Sequence, residues 1–394
     1  MGEGLFSDLL VIDCASFVAG PGAATILSDF GARVIKIEPP GTGDSYRNLI
    51  KMRGEGIFDY FWTLTSRNKE SLAIDIRQPA GRAVLETLIR KADVFLTNYP
   101  LPIRERLRLR AQDVTPLNPR LIYASVTPYG EVGPDSERTA YDSTAWWARS
   151  GLMAMVREEG SEVALSVPGM GDNPTSMSVY AAIVTALYKR QVTGKGSVVR
   201  SSLLANGLFA NGCQVQASLC DLELLTRAPR GKRNPLTDTY VTGDGRTLLL
   251  ALANPTREWP LAARAVERED WLTDPRFSTP EARLANAGAL NDLLEAIFGG
   301  QPWAHWDEVL AAAGLTYGLV ATTTDHLSDP QIEANGLLPE IIDGMGLRTV
   351  DSPFQIEGEP KRPPRMAPAI GQHTRAILEE FGLTPAEIEA LAAG

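Results

Sequence analysis

The run Val167-Pro168-Gly169-Met170-Gly171-Asp172-Asn173-Pro174 places one carboxylate, Asp172, among glycines and prolines just before an apolar helical pattern, Met177 to Leu187. Such a run suits neither a helix interior nor a central strand. It reads as a tight turn that presents Asp172 at a helix N-terminus, where unpaired N–H groups and the helix dipole favour negative charge. Two chemistries fit. The carboxylate is either an N-cap or Asx-turn residue, or it is a nucleophile. An aspartate is ordinarily ionised at neutral pH, and the chain has only three histidines, His305, His326 and His373. None of these stands in an HExxH spacing and no Cys/His cluster occurs, so no metal site is expected; a Ser-His-Asp or Cys-His enzyme stays open, though without a Gly-x-Ser-x-Gly elbow.

The elements that must position Asp172 follow from the apolar pattern. Short apolar runs at Leu9–Asp13, Val34–Ile37, Leu72–Ile76, Val94–Thr97, Leu121–Val126 and Ser197–Ser201 alternate with helical stretches at Ala23–Phe30, Pro79–Lys91 and Ser176–Gln191. This alternation predicts an α/β domain with a largely parallel sheet, whose ligands sit beyond the carboxyl ends of the strands. The loops Val18–Gly22, Asn98–Pro100 and Thr127–Gly130 share that edge. Val18–Gly22 with Glu38 resembles a dinucleotide site only loosely, because Pro21 removes an N–H donor and the Gly-x-Gly-x-x-Gly spacing is missing. Lys36, Arg47, Arg67, Lys69, Arg77, Arg104, Arg106, Arg108 and Arg110 are candidate phosphate clamps or solvated charges. Trp146 and Trp147 are expected to divide between core and cleft. Arg149 is a candidate partner for a second substrate carboxylate.

A long helix is expected over Ser202–Leu225, then a basic, broken stretch from Arg227 to Pro235 that marks a domain boundary. Beyond it come a hairpin around Gly243-Asp244-Gly245 and helices at Trp259–Ala265, Pro280–Phe298 and Trp303–Ala313. The tail has a strand near Leu347–Val350, a final helix at Thr384–Ala393, and prolines that keep much of it extended. The domains read as residues 1–225, 226–325 and 326–394.

A formal net charge of −10 argues against nucleic acid or an anionic membrane as partner, so any anionic ligand needs a local basic site. Three cysteines, an N-terminus with no basic leader, and no apolar stretch of membrane-spanning length point to a cytoplasmic protein.

Several segments in order resemble the class III CoA-transferase (CaiB/BaiF) family. They include Ala19-Gly20-Pro21, Phe30-Gly31-Ala32-Arg33-Val34-Ile35-Lys36-Ile37-Glu38-Pro39, Gly43-Asp44 with Arg47, and Arg67-Asn68-Lys69-Glu70-Ser71-Leu72-Ala73-Ile74-Asp75. Leu117-Asn118-Pro119-Arg120-Leu121-Ile122-Tyr123, Ala140-Tyr141-Asp142, Gly171-Asp172, Thr193-Gly194-Lys195-Gly196 and Gly371-Gln372-His373-Thr374 continue the match. The resemblance implies a Rossmann-like large domain with a parallel sheet formed from both chain ends, a smaller α+β domain, and an interlocked homodimer. It implies transfer of CoA from an acyl-CoA thioester to a carboxylic acid, with coenzyme A as substrate and no tightly bound cofactor. Asp172 matches the family's nucleophile. The CoA-binding positions fall on Phe17, Val18 and Ala19; Ile74, Asp75, Ile76 and Arg77; Asn98, Tyr99 and Pro100; Arg106; and Thr139, Ala140, Tyr141 and Asp142. Related α-methylacyl-CoA racemases carry a histidine where Tyr141 stands, which leaves a racemase as the alternative. The glycine-rich loop of formyl-CoA transferases is not found between residues 225 and 260.

Overall fold

The computed structural model describes residues 4–47, 59–222 and 227–393. Two compact units emerge, one from residues 1–153, 165–220 and 335–394, the other from residues 154–164 and 221–334. The first contains a six-stranded parallel sheet in the order β3-β2-β1-β4-β5-β6. Its strands are β1 Leu10–Asp13, β2 Arg33–Glu38, β3 Glu70–Ala73, β4 Val94–Thr97, β5 Ile122–Thr127 and β6 Ser197–Ser202. The order reverses between β1 and β4, the switch point at which open α/β sheets leave a crevice for ligands.

Register turns the period of two into two cores. Val34, Val11, Val94 and Ile122 are paired across four strands, and their row packs under helices α1 (Ala19–Asp29) and α7 (Asp172–Thr193). The neighbouring row, Ile35, Ile12, Phe95 and Tyr123, faces the opposite way onto helix α3 (Pro79–Lys91) and two C-terminal helices, α15 (Thr374–Glu380) and α16 (Pro385–Ala393). Each large apolar side chain so buried contributes roughly 1.5–3 kcal/mol. Between these helices lie α2 (Tyr60–Ser66), α4 (Leu101–Arg106), α5 (Ala111–Val114), a π-helical turn at Ser143–Ala148, α6 (Leu152–Met155), α8 (Leu203–Ala210) and α9 (Gly212–Leu219).

Several expectations need correction. The first unit is built from both chain ends, but all six strands of its sheet come from residues 10–202. The proline-rich tail adds no strand near Leu347–Val350. Instead the His373 N–H donates to the Ser71 carbonyl (3.1 Å), and its Nδ1 accepts from the Ser71 N–H (3.1 Å), covering the β3 edge. The helix expected over Ser202–Leu225 breaks at Asn211, whose amide donates to the Ser150 carbonyl (2.9 Å); residues 223–225 lie outside the described residues. Residues 154–164, read from sequence as part of the larger domain, cluster with the second unit, where Glu158 ion-pairs with Arg233.

The second unit has an antiparallel sheet of β7 (Thr239–Val241), β8 (Thr247–Leu250) and β9 (Tyr317–Leu319). Helices α10 (Pro255–Ala265), α11 (Pro280–Ala285), α12 (Ala287–Phe298) and α13 (Trp303–Ala312) close over Tyr240, Trp259, Trp271, Phe298 and Trp306, and α14 (Pro330–Ala334) ends the unit.

Candidate active site

Helix α7 begins at Asp172, and its N-cap is Gly171, so the expected capping aspartate is displaced by one residue. The reason is steric. A Cβ on Gly171 would lie 2.5 Å from Trp146 Cγ, so only glycine fits where the turn closes on the indole. Gly169, at φ +80°, makes the preceding bend. The Asp172 side chain makes no capping bond, and no donor or cation among the described residues meets its carboxylate. The capping task falls to Asp142. Its Oδ2 accepts from the Gly171 N–H (3.1 Å) and its Oδ1 from the Ser143 N–H (2.8 Å).

Half-buried and unpaired, Asp172 pays for its position in acidity. Burial, reinforced by the Asp142 charge, pushes its pKa up to about 7. The carboxyl is therefore close to half protonated at neutral pH, whereas its sequence suggested full ionisation.

The N-terminus of α1 lies beside that of α7, with the Ser176 hydroxyl donating to the Val18 carbonyl (3.4 Å). Phe17 enters α1 in the left-handed region (φ +64°), a costly conformation for a non-glycine residue. It is held there by contacts on both sides. Its N–H donates to Asp44 Oδ1 (3.4 Å), and the Asn98 amide both accepts from the Ser16 N–H (2.8 Å) and donates to the Ser16 carbonyl (2.6 Å). No side chain caps α1, and the N–H groups of Val18, Ala19 and Gly20 meet no acceptor among the described residues. The open N-terminus of α1 thus sits on the sheet's carboxyl edge beside the Asp142-capped start of α7, a setting that favours anions.

Beneath the Phe17 loop lies a buried charge network that sequence reading did not foresee. Lys36 Nζ pairs with Asp44 (2.6 Å) and Asp13 (3.8 Å), and Lys69 Nζ pairs with Asp13 (2.8 Å) and donates to the Pro21 carbonyl (2.8 Å). Burial and the neighbouring Lys36 charge push Lys69 down to about 8 against the pull of Asp13. Lys36 is held above its ordinary range because Asp13 and Asp44 outweigh its burial.

Most candidate phosphate clamps sit in such pairs, and for the buried ones this follows because buried cations require anions. Arg47 binds Glu38 through two bonds (2.8 and 2.9 Å), which occupies both oxygens of the carboxylate that gave Val18–Gly22 its loose likeness to a dinucleotide site. Arg67 binds Asp29, Arg104 binds Glu131 and the Tyr99 carbonyl, Arg77 binds Asp75, and Arg110 binds Glu105. Arg149, the candidate for a second carboxylate, is held by Asp135 (2.5 Å). Arg106, at the end of α4, is exposed and meets no carboxylate among the described residues. Trp146 and Trp147 are both buried with rings 6.1 Å apart and near parallel, so neither lines an open cleft.

Of the remaining expected positions, Tyr141 touches Phe17 ring to ring (6.0 Å), and Thr139 and Ala140 lead directly into it. Tyr99 and Pro100 follow β4 and start α4. Ile74, Asp75, Ile76 and Arg77 leave β3, and no described contact joins them to Asp172. Tyr46, two residues beyond Asp44, was missed although the Gly43-Asp44 motif adjoins it; its N–H donates to Asp44 Oδ1 (2.8 Å) and its ring packs on Phe17 (6.1 Å). Among the described residues no cluster of three His, Cys, Asp or Glu side chains could hold a metal ion, and no helix is long and apolar enough to cross a membrane.

The family model described as CoA-transferase family III matches residues 6–374. The acetyl-CoA:oxalate CoA-transferase of Acetobacter aceti is 30% identical over 392 residues, covering 98% of each chain. The cinnamoyl-CoA:phenyllactate CoA-transferase of Clostridium sporogenes is 29% identical over 397 residues, covering 98% of this chain and 96% of the relative. A solved CAIB/BAIF family protein from Brucella suis superposes with a TM-score of 0.84 at 27% identity, covering 97% of this chain and all of the other. The chain belongs to CoA-transferase family III and is an enzyme of that family.

Proposed function

We propose that this enzyme moves CoA from an acyl-CoA thioester to a free carboxylic acid through covalent intermediates on Asp172. The observation that carries the reading is the Asp172 carboxylate itself, unpaired, half-buried and displaced from its capping role. Asp172 attacks the thioester carbonyl and expels CoA thiolate, giving a mixed anhydride. The thiolate then attacks the aspartyl carbonyl, releasing the donor acid and leaving an aspartyl-CoA thioester. The acceptor carboxylate attacks that thioester, expels the thiolate again, and the thiolate takes the acceptor's acyl carbon, freeing Asp172. Each step exchanges one anion for another, so no proton carrier is required.

In the turn before α7 the Gly169 and Asp172 N–H groups meet no acceptor among the described residues and are available as oxyanion donors. In that turn the Gly171 and Met170 N–H groups are already bonded, to Asp142 and to the Val167 carbonyl. The open N–H groups of Val18, Ala19 and Gly20 are likewise supplied to stabilise developing negative charge. In this reading Phe17, Asn98 and Asp142 shape the site from within, and Arg106, which is exposed, meets a phosphate of CoA, with Ile74–Arg77, Tyr99–Pro100 and Thr139–Tyr141 as further CoA contacts. A racemase would need a second acid/base group, and at position 141 it would find a tyrosine where related racemases carry a histidine. We propose a cytoplasmic, interlocked homodimer, supported by the exposed apolar side chains Tyr188, Phe209 and Leu219 on α7, α8 and α9. Sedimentation giving the monomer mass would remove that part.

The test is direct. Incubation with an acyl-CoA and hydroxylamine or borohydride, followed by peptide mass spectrometry, is expected to find modification at Asp172 that is absent without acyl-CoA. Turnover without any trapped species on Asp172 would sink the covalent route.

A further inference from the structure

The relatives act on acids from oxalate to phenyllactate, so membership in the family leaves the acyl group open. Beside Asp172 the first unit builds a continuous row of aromatic rings. Tyr141 meets Phe17 edge to face (6.0 Å), Phe17 meets Tyr46 (6.1 Å), Tyr46 meets Phe61 (5.3 Å), and Phe61 meets Tyr60 (4.3 Å). The row is anchored where the chemistry is. Tyr141 adjoins Asp142, which holds the Gly171 turn, and Phe17 adjoins Val18, whose carbonyl holds Ser176 one turn from Asp172. Its ends are open, Tyr141 at 65% exposure and Tyr60 at 47%, while Tyr46 in the middle is 5% exposed. The phenol of Tyr46 meets no hydrogen-bond partner among the described residues. Burial and the charges of Asp172, Asp59 and Asp142 push its pKa up, so it remains a neutral donor.

The charges around the row decide what it accepts. Lys36 is committed to Asp44 and Asp13, Lys69 to Asp13, Arg47 to Glu38 and Arg149 to Asp135. A second carboxylate on the acyl group would meet Asp142 and Asp172 and no uncommitted member of these cations. An aromatic ring would instead stack on, or abut edgewise, rings already arranged in that geometry.

We propose that the acyl group transferred by this enzyme carries an aromatic ring, and that Tyr46 is its specificity-determining residue. The inference rests on the transferase reading above. The donor acyl chain lies against the half-buried Phe17 and Phe61 rings with its thioester at Asp172, and buried Tyr46 sets the spacing of those two rings while its hydroxyl donates to a polar substituent or ordered water on that chain.

Isotope exchange tests this without knowledge of the natural acceptor. Each of 3-phenylpropanoyl-CoA, hexanoyl-CoA and succinyl-CoA is incubated with its own deuterated free acid, and label entering the thioester is followed by mass spectrometry, together with the CoA adduct on Asp172. The phenyl donor is expected to exchange at least about tenfold faster in kcat/KM than the other two. Tyr46→Ala should cut the phenyl-to-succinyl ratio by about tenfold, and Tyr46→Phe should keep it. Because Tyr46 is buried, Phe61→Leu serves as a second variant, with an expected loss in the ratio of about threefold or more. Equal or faster exchange with succinyl-CoA or hexanoyl-CoA overturns the inference, as does an unchanged ratio in either folded variant. If succinyl-CoA forms the Asp172 adduct and the phenyl donor does not, the aromatic assignment alone fails. If no donor forms an adduct or exchanges label, the transferase reading fails and takes this inference with it.

Discussion

Replacing Asp172 by alanine lowers kcat for CoA transfer by at least about 10⁴-fold and leaves CoA affinity within about threefold, as loss of a covalent nucleophile requires. The side chain makes no structural bond that the substitution would break, so the folded state survives and the two effects separate. Asp172→Asn sharpens the result, because it keeps the shape and removes the charge. The native carboxyl titrates at about 7 against 3.8 for an ordinary aspartate, since burial and Asp142 disfavour its anion. A group whose folded pKa is raised destabilises the fold as pH climbs from the unfolded value through the folded one. Asp172→Asn should therefore match the wild type at pH 4 and exceed it at pH 8, by on the order of 2 kcal/mol once partial exposure is allowed for. Denaturant unfolding at both pH values reads this. In parallel, kcat/KM of the wild type should rise with pH to about 7 and then level off as the carboxylate forms. An active Asp172→Ala enzyme refutes the nucleophile; equal stability gains at pH 4 and pH 8 refute the desolvated carboxylate.

The contrast between the legible and illegible parts of this site is physical. Short apolar runs such as Leu9–Asp13 and Val34–Ile37 announced their strands because helices cover both faces of a parallel sheet, so nearly every residue of the run is apolar. The glycines and prolines before Asp172 announced a turn for an equally local reason. Which residue capped the helix was not local. It depended on Trp146 filling the space at Gly171 and on Asp142, 29 residues upstream, accepting the Gly171 N–H. Lys36 and Lys69 looked like phosphate clamps because sequence shows their charge but not the burial that forces each onto an aspartate. Likewise, the family resemblance suggested a sheet drawn from both chain ends, whereas the tail adds no strand and meets the sheet through His373 and Thr374 at the β3 edge, Glu380 on Arg33 of β2, and helices α15 and α16 packed on one face. Pairing in three dimensions decides such matters, and spacing along one strand carries no trace of it.

That pairing also predicts the largest stability effect outside the nucleophile. Lys36→Met should cost about 3–5 kcal/mol, because it strips the cation from a fully buried carboxylate rather than from a solvated one. Asp44 has Lys36 as its ion-pair partner, while its other oxygen holds the N–H groups of Tyr46 and Phe17. Asp13 fares better, since Lys69 remains at 2.8 Å. Pairing Lys36→Met with Asp44→Asn should recover about half of the loss. The amide oxygen still accepts from Tyr46 and Phe17, yet no uncompensated charge remains. The same contacts keep Phe17 at its positive φ, so the single variant should also lose activity through a loosened α1 entrance, and the double variant should regain part of it. A urea-unfolding double-mutant cycle with Asp44→Asn as the fourth corner measures the coupling. Additive losses would mean that Lys36 and Asp44 do not act as a pair, and that something other than this ion pair holds the Phe17 loop over its buried charges.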